Sequence, residues 1–297
     1  MRQPLVSVVI PTHNRLKFLQ RAMATVLGQT EQNFELIIID DASTDGTGLY
    51  LANLATQDSR IQILSNTESK GGAGARNKGI SSSRGKWIAF LDDDDEWMPT
   101  KLKRQLQALQ AKPSAVACSC SFVQRFPSGI SKTIKVPENV TLQQLLSGSV
   151  LGGASMCLCS GSVLREIGGF DANFRSGQDW DLWVRLRQQG NIVVCPEALV
   201  LYHVHEGMRI SNNMRSQYLG ARRFYFKHRS LMDSSLRRHR LSYNCFIMSR
   251  QADRNLRYRL RYLALSLLNT SPRVSLSYAV SSIPRLIRDA FLTMLKR

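Results

Sequence analysis

Four consecutive aspartates, Asp92 to Asp95, follow directly on a short apolar run that ends at Leu91. Adjacent carboxylates repel one another, so something must compensate their charge. A divalent cation with oxygen ligands can do so, and such a cation usually carries a phosphate. A solvated acidic loop is the ordinary alternative, but such loops rarely stand directly on the end of a buried strand. The placement of the run therefore favours a metal–phosphate site.

Polar side chains also follow two earlier apolar segments, at 6–10 and 35–39. They are Pro11, Thr12, His13, Asn14, Asp40 and Asp41. Together with the aspartate run they make three polar clusters, each at the end of a predicted strand. A convergence of three clusters is stronger evidence for a site than any one of them.

The elements that must position these clusters alternate between strand and helix. Short apolar segments at 6–10, 35–39, 61–64 and 87–91 are separated by stretches of helical spacing such as 14–28. This alternation predicts a parallel, doubly wound α/β sheet. Ligands of such sheets lie at the carboxyl ends of the strands. We therefore expect the three clusters to meet along one edge of the sheet.

The pattern weakens after residue 112. A strand is predicted at 115–126, and two short strands at 192–195 and 199–205. Between them, residues 177–187 read as a helix with two acidic residues near its start.

The formal charge is unevenly distributed along the chain. The 297 residues hold 40 Lys and Arg and 22 Asp and Glu, for a net charge of +18. Residues 207–297 contribute 19 of the basic residues and only 3 of the acidic ones. This region is predicted to be helical and to meet an anionic membrane, a nucleic acid or a phosphorylated acceptor. We expect neither a membrane span, which needs about 18 apolar residues, nor a secretory signal.

The chain resembles the family 2 glycosyltransferases, which have the GT-A fold and invert the anomeric centre. The resemblance runs from about residue 6 to residue 205 and depends on six short motifs. They are Val-Ser-Val-Val-Ile-Pro-Thr-His-Asn-Arg (6–15), Ile-Ile-Ile-Asp-Asp-Ala-Ser-Thr-Asp-Gly-Thr (37–47), Gly-Ala-Arg-Asn-Lys-Gly (74–79), Phe-Leu-Asp-Asp-Asp-Asp-Glu-Trp (90–97), Gly-Gly-Phe-Asp (168–171) and Gln-Asp-Trp-Asp-Leu-Trp (178–183). Each motif alone is weak, whereas all six in this order are specific.

The resemblance implies a fold class and a domain plan. The fold would be α/β of the GT-A type, with a doubly wound, mainly parallel sheet and a helical basic extension. A catalytic domain would span 1–206, with a nucleotide-sugar half at 1–112 and an acceptor half at 113–206. Residues 207–297 would form the basic helical region.

The resemblance also assigns the donor site. The loop from Pro11 to Asn14 would wrap the nucleoside, and Asp41 would accept a hydrogen bond from a base N–H such as that of uracil. Arg76, near the start of a helix, would pair with the base edge or the diphosphate. The alternatives are a turn and helix cap for one of the pair Asp40 and Asp41, and a solvated surface arginine for Arg76.

In the aspartate run, the family's Asp-x-Asp signature falls on Asp92 to Asp94. Asp94 is implied as metal ligand, Asp93 lies near the ribose and the metal, and Asp92 supports the donor site. The metal, Mg²⁺ or Mn²⁺, would bridge the diphosphate oxygens and stabilise the charge of the departing nucleotide. His205 matches a position where related enzymes place a histidine near the metal or the diphosphate. His203 is the second choice, and an ordinary polar residue at a strand end is the alternative.

Inverting transfer needs one general base, which removes the acceptor hydroxyl proton as that oxygen attacks C1. The family's base is the Asp of a Glu-Asp pair, which falls on Asp179. Gln178 replaces the Glu here, and the loss of a neighbouring negative charge should lower the pKa of Asp179. Asp181 is the weaker candidate, and a helix-start carboxylate stabilised by the dipole is the alternative for Asp179. Two tryptophans of this helix line the acceptor site or belong to the core.

These assignments predict a metal-dependent inverting glycosyltransferase with a nucleotide-sugar donor, UDP-hexose being the first choice. Its acceptor would be a glycan or a polyprenyl-diphosphate-linked sugar in the synthesis of O-antigen or capsule. The enzyme would be cytoplasmic and peripheral on the inner face of the plasma membrane, bound to its anionic surface.

Two rival functions and one structural alternative stay open. A sugar-nucleotide nucleotidyltransferase should carry a Gly-rich triphosphate loop after the first strand, where this chain has Pro-Thr-His-Asn-Arg. A non-catalytic nucleic-acid-binding protein would use the basic tail, although we do not expect nucleic acid as a partner. The tail could also be a solvated helical cap on the core.

Overall fold

The structure is a computed structural model. It describes residues 3–54, 56–204, 213–250 and 256–268. The chain divides into two compact units, one of residues 1–172 and 178–206 and one of residues 173–177 and 207–297. Within the described ranges, no helix is both long enough and apolar enough to cross a membrane.

In the described part of the first unit, nine strands form one mixed sheet. The strands are β1 (Val6–Thr12), β2 (Phe34–Asp40), β3 (Ile61–Ser65), β4 (Trp87–Phe90), β5 (Glu96–Trp97), β6 (Ala115–Arg125), β7 (Ser131–Ile134), β8 (Leu158–Ser160) and β9 (Asn191–His203). Their order is β3-β2-β1-β4-β8-β6-β9-β5, and β7 pairs with β6.

The strands β3, β2, β1 and β4 are all parallel, as their continuous apolar sequences predict. β8 then pairs antiparallel with both β4 and β6, and β5 pairs antiparallel with β9. β6 and β9 are parallel to each other. The predicted α/β fold is confirmed, and its parallel part lies mainly within residues 6–90.

Helices connect and cover the strands. They are α1 (Leu16–Leu27), α2 (Thr47–Leu54), α3 (Gly71–Ser82), α4 (Lys101–Gln110), α5 (Leu142–Ser147), α6 (Gly161–Glu166) and α7 (Gln178–Gln189). In α3, a Cβ on Gly79 would overlap the side chain of Val9, so glycine allows this helix to lie close against β1.

The glycine motif at 168–171 is joined to α3 by a reciprocal pair of hydrogen bonds. The Asn77 side chain donates to the Phe170 carbonyl at 2.7 Å, and the Phe170 N–H donates to Asn77 Oδ1 at 2.7 Å. Gly169 has a φ of +65°, and a Cβ there would overlap Asn77. Two motifs far apart in sequence therefore form one structural contact, which explains the need for glycine at this position.

The described part of residues 207–297 is helical, which confirms that a helical C-terminal region is present. It contains α8 (Met214–His228), α9 (Ser234–Ser249) and α10 (Leu256–Leu268). Helices α9 and α10 are antiparallel: Ser242 Oγ donates to the Ser266 carbonyl at 2.8 Å, and Arg259 Nε donates to the Ser249 carbonyl at 3.1 Å. Within the described residues these helices form an αα-hairpin.

Candidate active site

The three polar clusters meet at the carboxyl edge of the parallel strands, as expected. Oγ1 of Thr12, the last residue of β1, donates to Asp93 Oδ2 at 2.8 Å. The Asp41 N–H donates to the Thr12 carbonyl at 2.8 Å, and His13 Nδ1 lies 2.7 Å from the Asp41 carbonyl oxygen. The ends of three neighbouring strands are thus hydrogen-bonded into one edge.

Arg15 compensates the centre of the aspartate run. One of its guanidinium nitrogens, Nη1, lies 3.1 Å from both Asp93 Oδ1 and Asp94 Oδ2. Burial raises the pKa of Asp93 to about 6, although Arg15 and the hydrogen bond from Thr12 both oppose the shift. The repulsion between the two carboxylates is therefore relieved by a protein cation.

Arg76 compensates the first aspartate and links it to the predicted base. Its guanidinium makes a hydrogen-bonded ion pair with Asp92 and lies 5.3 Å from the centre of the Phe170 ring. Its positive charge also acts on Asp179 and Asp93. The alternative of a solvated surface arginine does not describe this side chain, which is only 12% exposed.

Asp95 is held by Ser155, which lies in a short helix of 3₁₀ type. Ser155 Oγ donates to Asp95 Oδ2 at 2.6 Å and accepts from the Asp92 N–H at 3.1 Å. The Ser155 carbonyl accepts from Trp97 Nε1 at 3.0 Å. One buried serine therefore fixes both ends of the aspartate run.

The aspartate run offers a set of ligands that fits a divalent cation. One carboxylate oxygen from each of Asp92, Asp94 and Asp95 lies within 4.8 Å of the other two. Mg²⁺ and Mn²⁺ prefer oxygen ligands of this kind. Asp94 was the predicted ligand, and Asp95 joins this group without having been predicted. The other predicted ligand, His205, lies outside the described residues.

His203, the second choice for the histidine, takes part in another contact. Its Nε2 lies 2.6 Å from Glu96 Oε1, which also pairs with Arg21 Nε at 3.1 Å. Burial lowers the pKa of His203, and the hydrogen bond to Glu96 opposes this effect. The imidazole thus connects β9 to β5.

Asp41, which directly follows β2, caps the start of helix α3. Its carboxylate accepts from the backbone N–H groups of Lys70 and Gly71, both at 2.9 Å, and from Asn66 Nδ2 and Ser69 Oγ, both at 2.7 Å. Burial alone would raise the pKa of Asp41, but these four hydrogen bonds outweigh it and lower the pKa. The prediction that Asp41 binds the base stays a prediction.

The neighbouring aspartate has the turn role that the sequence left open. Asp40 Oδ1 accepts from the Ser43 N–H at 2.9 Å. In the same turn, Asn14 Oδ1 accepts from the Thr44 N–H at 2.6 Å, and Asn14 has a φ of +54°. The predicted nucleoside loop is therefore tied to the turn that follows β2.

Asp179 stands near the start of α7, where its Oδ1 accepts from the Trp180 N–H at 2.9 Å. Burial raises the pKa of this half-buried carboxyl, Arg76 lowers it and Asp92 raises it. Burial is the largest of these effects, so the net pKa is above the ordinary value of an aspartate, and the lowering expected from Gln178 in place of Glu stays a prediction. A carboxyl with a raised pKa close to Arg76 and Asp92 suits a general base.

Asp181 is a structural residue, although it lies only two positions further on. Its carboxylate is fully buried and pairs with Arg185 Nε at 2.8 Å. Arg185 also donates to the carbonyls of Ile167 and Gly169, at 3.0 and 2.7 Å. On the same helix Trp183 is fully buried, so it belongs to the core.

Sequence reasoning missed two residues of this site, Arg15 and Ser155. Arg15 ends the first motif, so a search for a cation that could offset the aspartates would have found it. Ser155 lies in the weakly patterned part of the sequence, where no signal marks it. Its role depends on contacts with residues about 60 positions earlier in the chain.

Comparisons with known proteins identify the family. The profile of the family described as Glycosyl transferase family 2 matches residues 7–166. UDP-Glc:alpha-D-GlcNAc-diphosphoundecaprenol beta-1,3-glucosyltransferase WfgD of Escherichia coli is 31% identical over 213 residues, covering 71% of this chain and 81% of WfgD.

Two solved structures are similar in fold. The crystal structure of S. aureus TarS 1-349 in complex with UDP-GlcNAc has a TM-score of 0.69 at 17% identity, covering 91% of this chain and 82% of TarS 1-349. The mannosyltransferase PcManGT from Pyrobaculum calidifontis, in complex with GDP-Man and Mn²⁺, has a TM-score of 0.67 at 17% identity, covering 100% of this chain and 88% of PcManGT. These likenesses confirm the GT-A fold. Because the profile matches more than half of its residues, the chain belongs to glycosyl transferase family 2 and is a glycosyltransferase.

Proposed function

We propose that this glycosyltransferase is metal-dependent and inverting, and that it transfers a hexose from a nucleotide sugar, first of all a UDP-hexose. The observation that carries the proposal is the position of Arg76. Its guanidinium pairs with Asp92 of the aspartate run, and its charge also acts on Asp179. A displacement at C1 needs a site for the leaving group on one side of that carbon and a base on the other side. Arg76 interacts electrostatically with Asp92, in the proposed leaving-group site, and with Asp179, the proposed base.

The donor would lie along the carboxyl edge, with its diphosphate toward Arg76 and the aspartate run. Asp92, Asp94 and Asp95 would hold Mg²⁺ or Mn²⁺, which stabilises negative charge on the diphosphate when bound. Asp93 and the loop from residue 11 to residue 14 would contact the nucleoside. Asp41 would reach the base only if its contacts to residues 66–71 rearrange, because four hydrogen bonds already use its acceptor capacity.

Asp179 would act as the general base. It would take the proton of the acceptor hydroxyl while that oxygen attacks C1, and the bond from C1 to the diphosphate oxygen would break on the opposite face. The anomeric configuration would therefore invert. The raised pKa of Asp179 makes it a stronger base than an ordinary carboxylate, and Arg76 still favours its ionised form.

The acceptor would be a glycan or a sugar linked to polyprenyl diphosphate, in the synthesis of a bacterial surface polysaccharide such as O-antigen or capsule. The name of WfgD supports a lipid-linked acceptor, because that relative is 31% identical over 71% of this chain. An acceptor of this kind lies in the membrane. The enzyme would therefore be peripheral on the inner face of the plasma membrane, and its basic C-terminal region would face anionic lipid.

The test is a donor screen for nucleotide release and sugar transfer with Mn²⁺ and lipid-linked acceptors. We expect turnover with one nucleotide sugar and losses of about 10²-fold or more in Asp94→Ala and Asp179→Asn. Asp58→Asn is the matched control, because Asp58 pairs with Arg60 at the surface. The proposal would be refuted if no nucleotide sugar supported transfer.

The same screen separates the rival functions. Release of pyrophosphate from a nucleoside triphosphate and a sugar phosphate would indicate a nucleotidyltransferase. Tight, salt-sensitive RNA binding that survives Asp94→Ala, without any transfer, would indicate a nucleic-acid-binding protein.

A further inference from the structure

Among residues 257–268 of α10, the exposed residues all lie along one side of the helix. They are Arg257, Leu260, Arg261, Ala264, Leu265 and Leu268. Their spacing of three and four positions puts them on one stripe. Leu268 is 81% exposed and Leu260 is 49% exposed. The opposite side of α10 packs on α9, so this stripe faces outward from the hairpin.

Helix α9 adds an exposed leucine at the same end of the hairpin. Ser242 on α9 is hydrogen-bonded to Ser266 on α10, so Leu241 lies level with the last turn of α10. Leu241 is 42% exposed. The six exposed α10 residues are called the leucine–arginine face below, and Leu241 is a separate exposed leucine at the same level of the hairpin.

The charge around this face is almost entirely positive. Among the described residues of the second unit, one side chain is acidic, Asp233, and it caps α9 by accepting from the Leu236 N–H at 2.7 Å. Residues 207–297 as a whole hold 19 basic and 3 acidic residues. A partner of this face should therefore combine negative charge with an apolar layer.

We propose that the leucine–arginine face binds the surface of an anionic phospholipid bilayer. The leucines would enter the boundary of the acyl chains, and Arg257 and Arg261 would pair with lipid phosphates. The inference deepens the proposed function, because it depends on a membrane-located acceptor and names the surface that brings the enzyme to it.

Two other partners fit the face less well. Single-stranded nucleic acid is bound by basic grooves with aromatic side chains for base stacking, and leucines add nothing to phosphate contacts. The aromatic side chains of α10, Tyr258 and Tyr262, are half-buried and pack against each other, with their ring centroids 4.6 Å apart. A second copy of the chain would bring like charges together, which is unfavourable.

The experiment is co-sedimentation of the full chain with vesicles of phosphatidylglycerol and phosphatidylcholine at a ratio of 1:2. Each arginine near an anionic surface contributes about fivefold, so Arg257→Gln/Arg261→Gln should weaken partitioning about 25-fold. The variant with Leu260, Leu265 and Leu268 changed to asparagine should weaken it by about tenfold or more. Leu49→Asn is the matched control, because Leu49 is 79% exposed on α2. It should bind as the wild type does.

Three results would overturn the proposal. One is wild-type binding by both face variants, and another is equal binding to vesicles of pure phosphatidylcholine. The third is a change in RNA binding or in oligomeric state while vesicle binding is kept, which would assign the face to nucleic acid or to a second copy.

Nucleotide release from the donor, with water as acceptor, is measured on the same proteins and separates this inference from the enzymatic one. Retained turnover with lost vesicle binding supports the face as the membrane contact. Turnover that is missing in every protein would refute the enzyme proposal, while the vesicle result still decides the face.

Discussion

Changing either aspartate of α7 to asparagine should impair the protein, but Asp181→Asn should lower its stability and Asp179→Asn should lower its kcat. Asp181 is fully buried and pairs with Arg185, whose side chain is 15% exposed. Removing one partner of a buried ion pair costs roughly 3–5 kcal/mol, because the other charge stays buried. Asparagine keeps one acceptor oxygen for Arg185, so we expect about 3 kcal/mol for Asp181→Asn.

Asp179→Asn should leave the free energy of unfolding unchanged or raise it. Burial disfavours the charged form of Asp179, which is why the pKa of its carboxyl is raised. A neutral amide of the same shape removes that unfavourable charge. It also removes the base, so kcat should fall by about 10²- to 10⁴-fold.

Thermal unfolding and initial rates on the same preparations measure both effects. For a unit of this size, about 3 kcal/mol lowers Tm by about 6–12 °C. We therefore expect Asp181→Asn to have a lower Tm and near wild-type turnover per folded molecule. The reasoning is refuted if Asp181→Asn unfolds like the wild type but loses turnover, or if Asp179→Asn keeps turnover.

Three further outcomes follow from the same contacts. The wild-type kcat should rise with pH, because protonated Asp179 is inactive, and the apparent pKa of this rise should lie above the ordinary pKa of an aspartate. A pH–rate profile without such a rise would contradict the role of Asp179 as the base. Asp41→Asn should lower the unfolding free energy by about 2 kcal/mol at pH 7. Since the folded-state pKa of Asp41 is lowered, the stability contributed by its charge is fully present above pH ~4 and is lost as pH falls through that lower pKa. Denaturant titrations should therefore show that the difference in unfolding free energy between the wild type and Asp41→Asn narrows as the pH falls below ~4. A difference that does not change with pH would argue against the cap. Ser155→Ala should weaken Mn²⁺ binding by about tenfold in calorimetric titrations, because the variant lacks the hydroxyl that donates to Asp95. Ser131→Ala is the control, and an unchanged affinity in Ser155→Ala would show that Ser155 does not position the aspartate run.

The parallel half of the fold could be predicted because its strands are buried on both faces. Such strands read as continuous apolar runs, and polar residues mark where each one ends. The start of α3 could not be predicted in this way. The sequence places Arg76 near the start of this helix, whereas α3 already begins at Gly71, because Asp41 caps it from about 30 positions earlier.

The strands after residue 112 are harder to predict from the sequence, because they form both parallel and antiparallel pairs. The two strands predicted at 192–195 and 199–205 are one strand, β9, which follows β6 through register shifts near Cys120 and Ser121. A bulge of this kind interrupts the alternation of side chains on which strand prediction depends. Antiparallel β8 is only three residues long, too short to produce a pattern of its own.

The protein itself supplies much of the charge compensation for the aspartate run. Four adjacent carboxylates need compensation, and the sequence alone suggested a metal as its source. In the folded chain Arg15 and Arg76 provide two positive charges at the run, and Ser155 holds its last member. The proposed metal site therefore no longer follows from repulsion. It depends on three oxygens within 4.8 Å, and binding there would compete with Arg15 for Asp94.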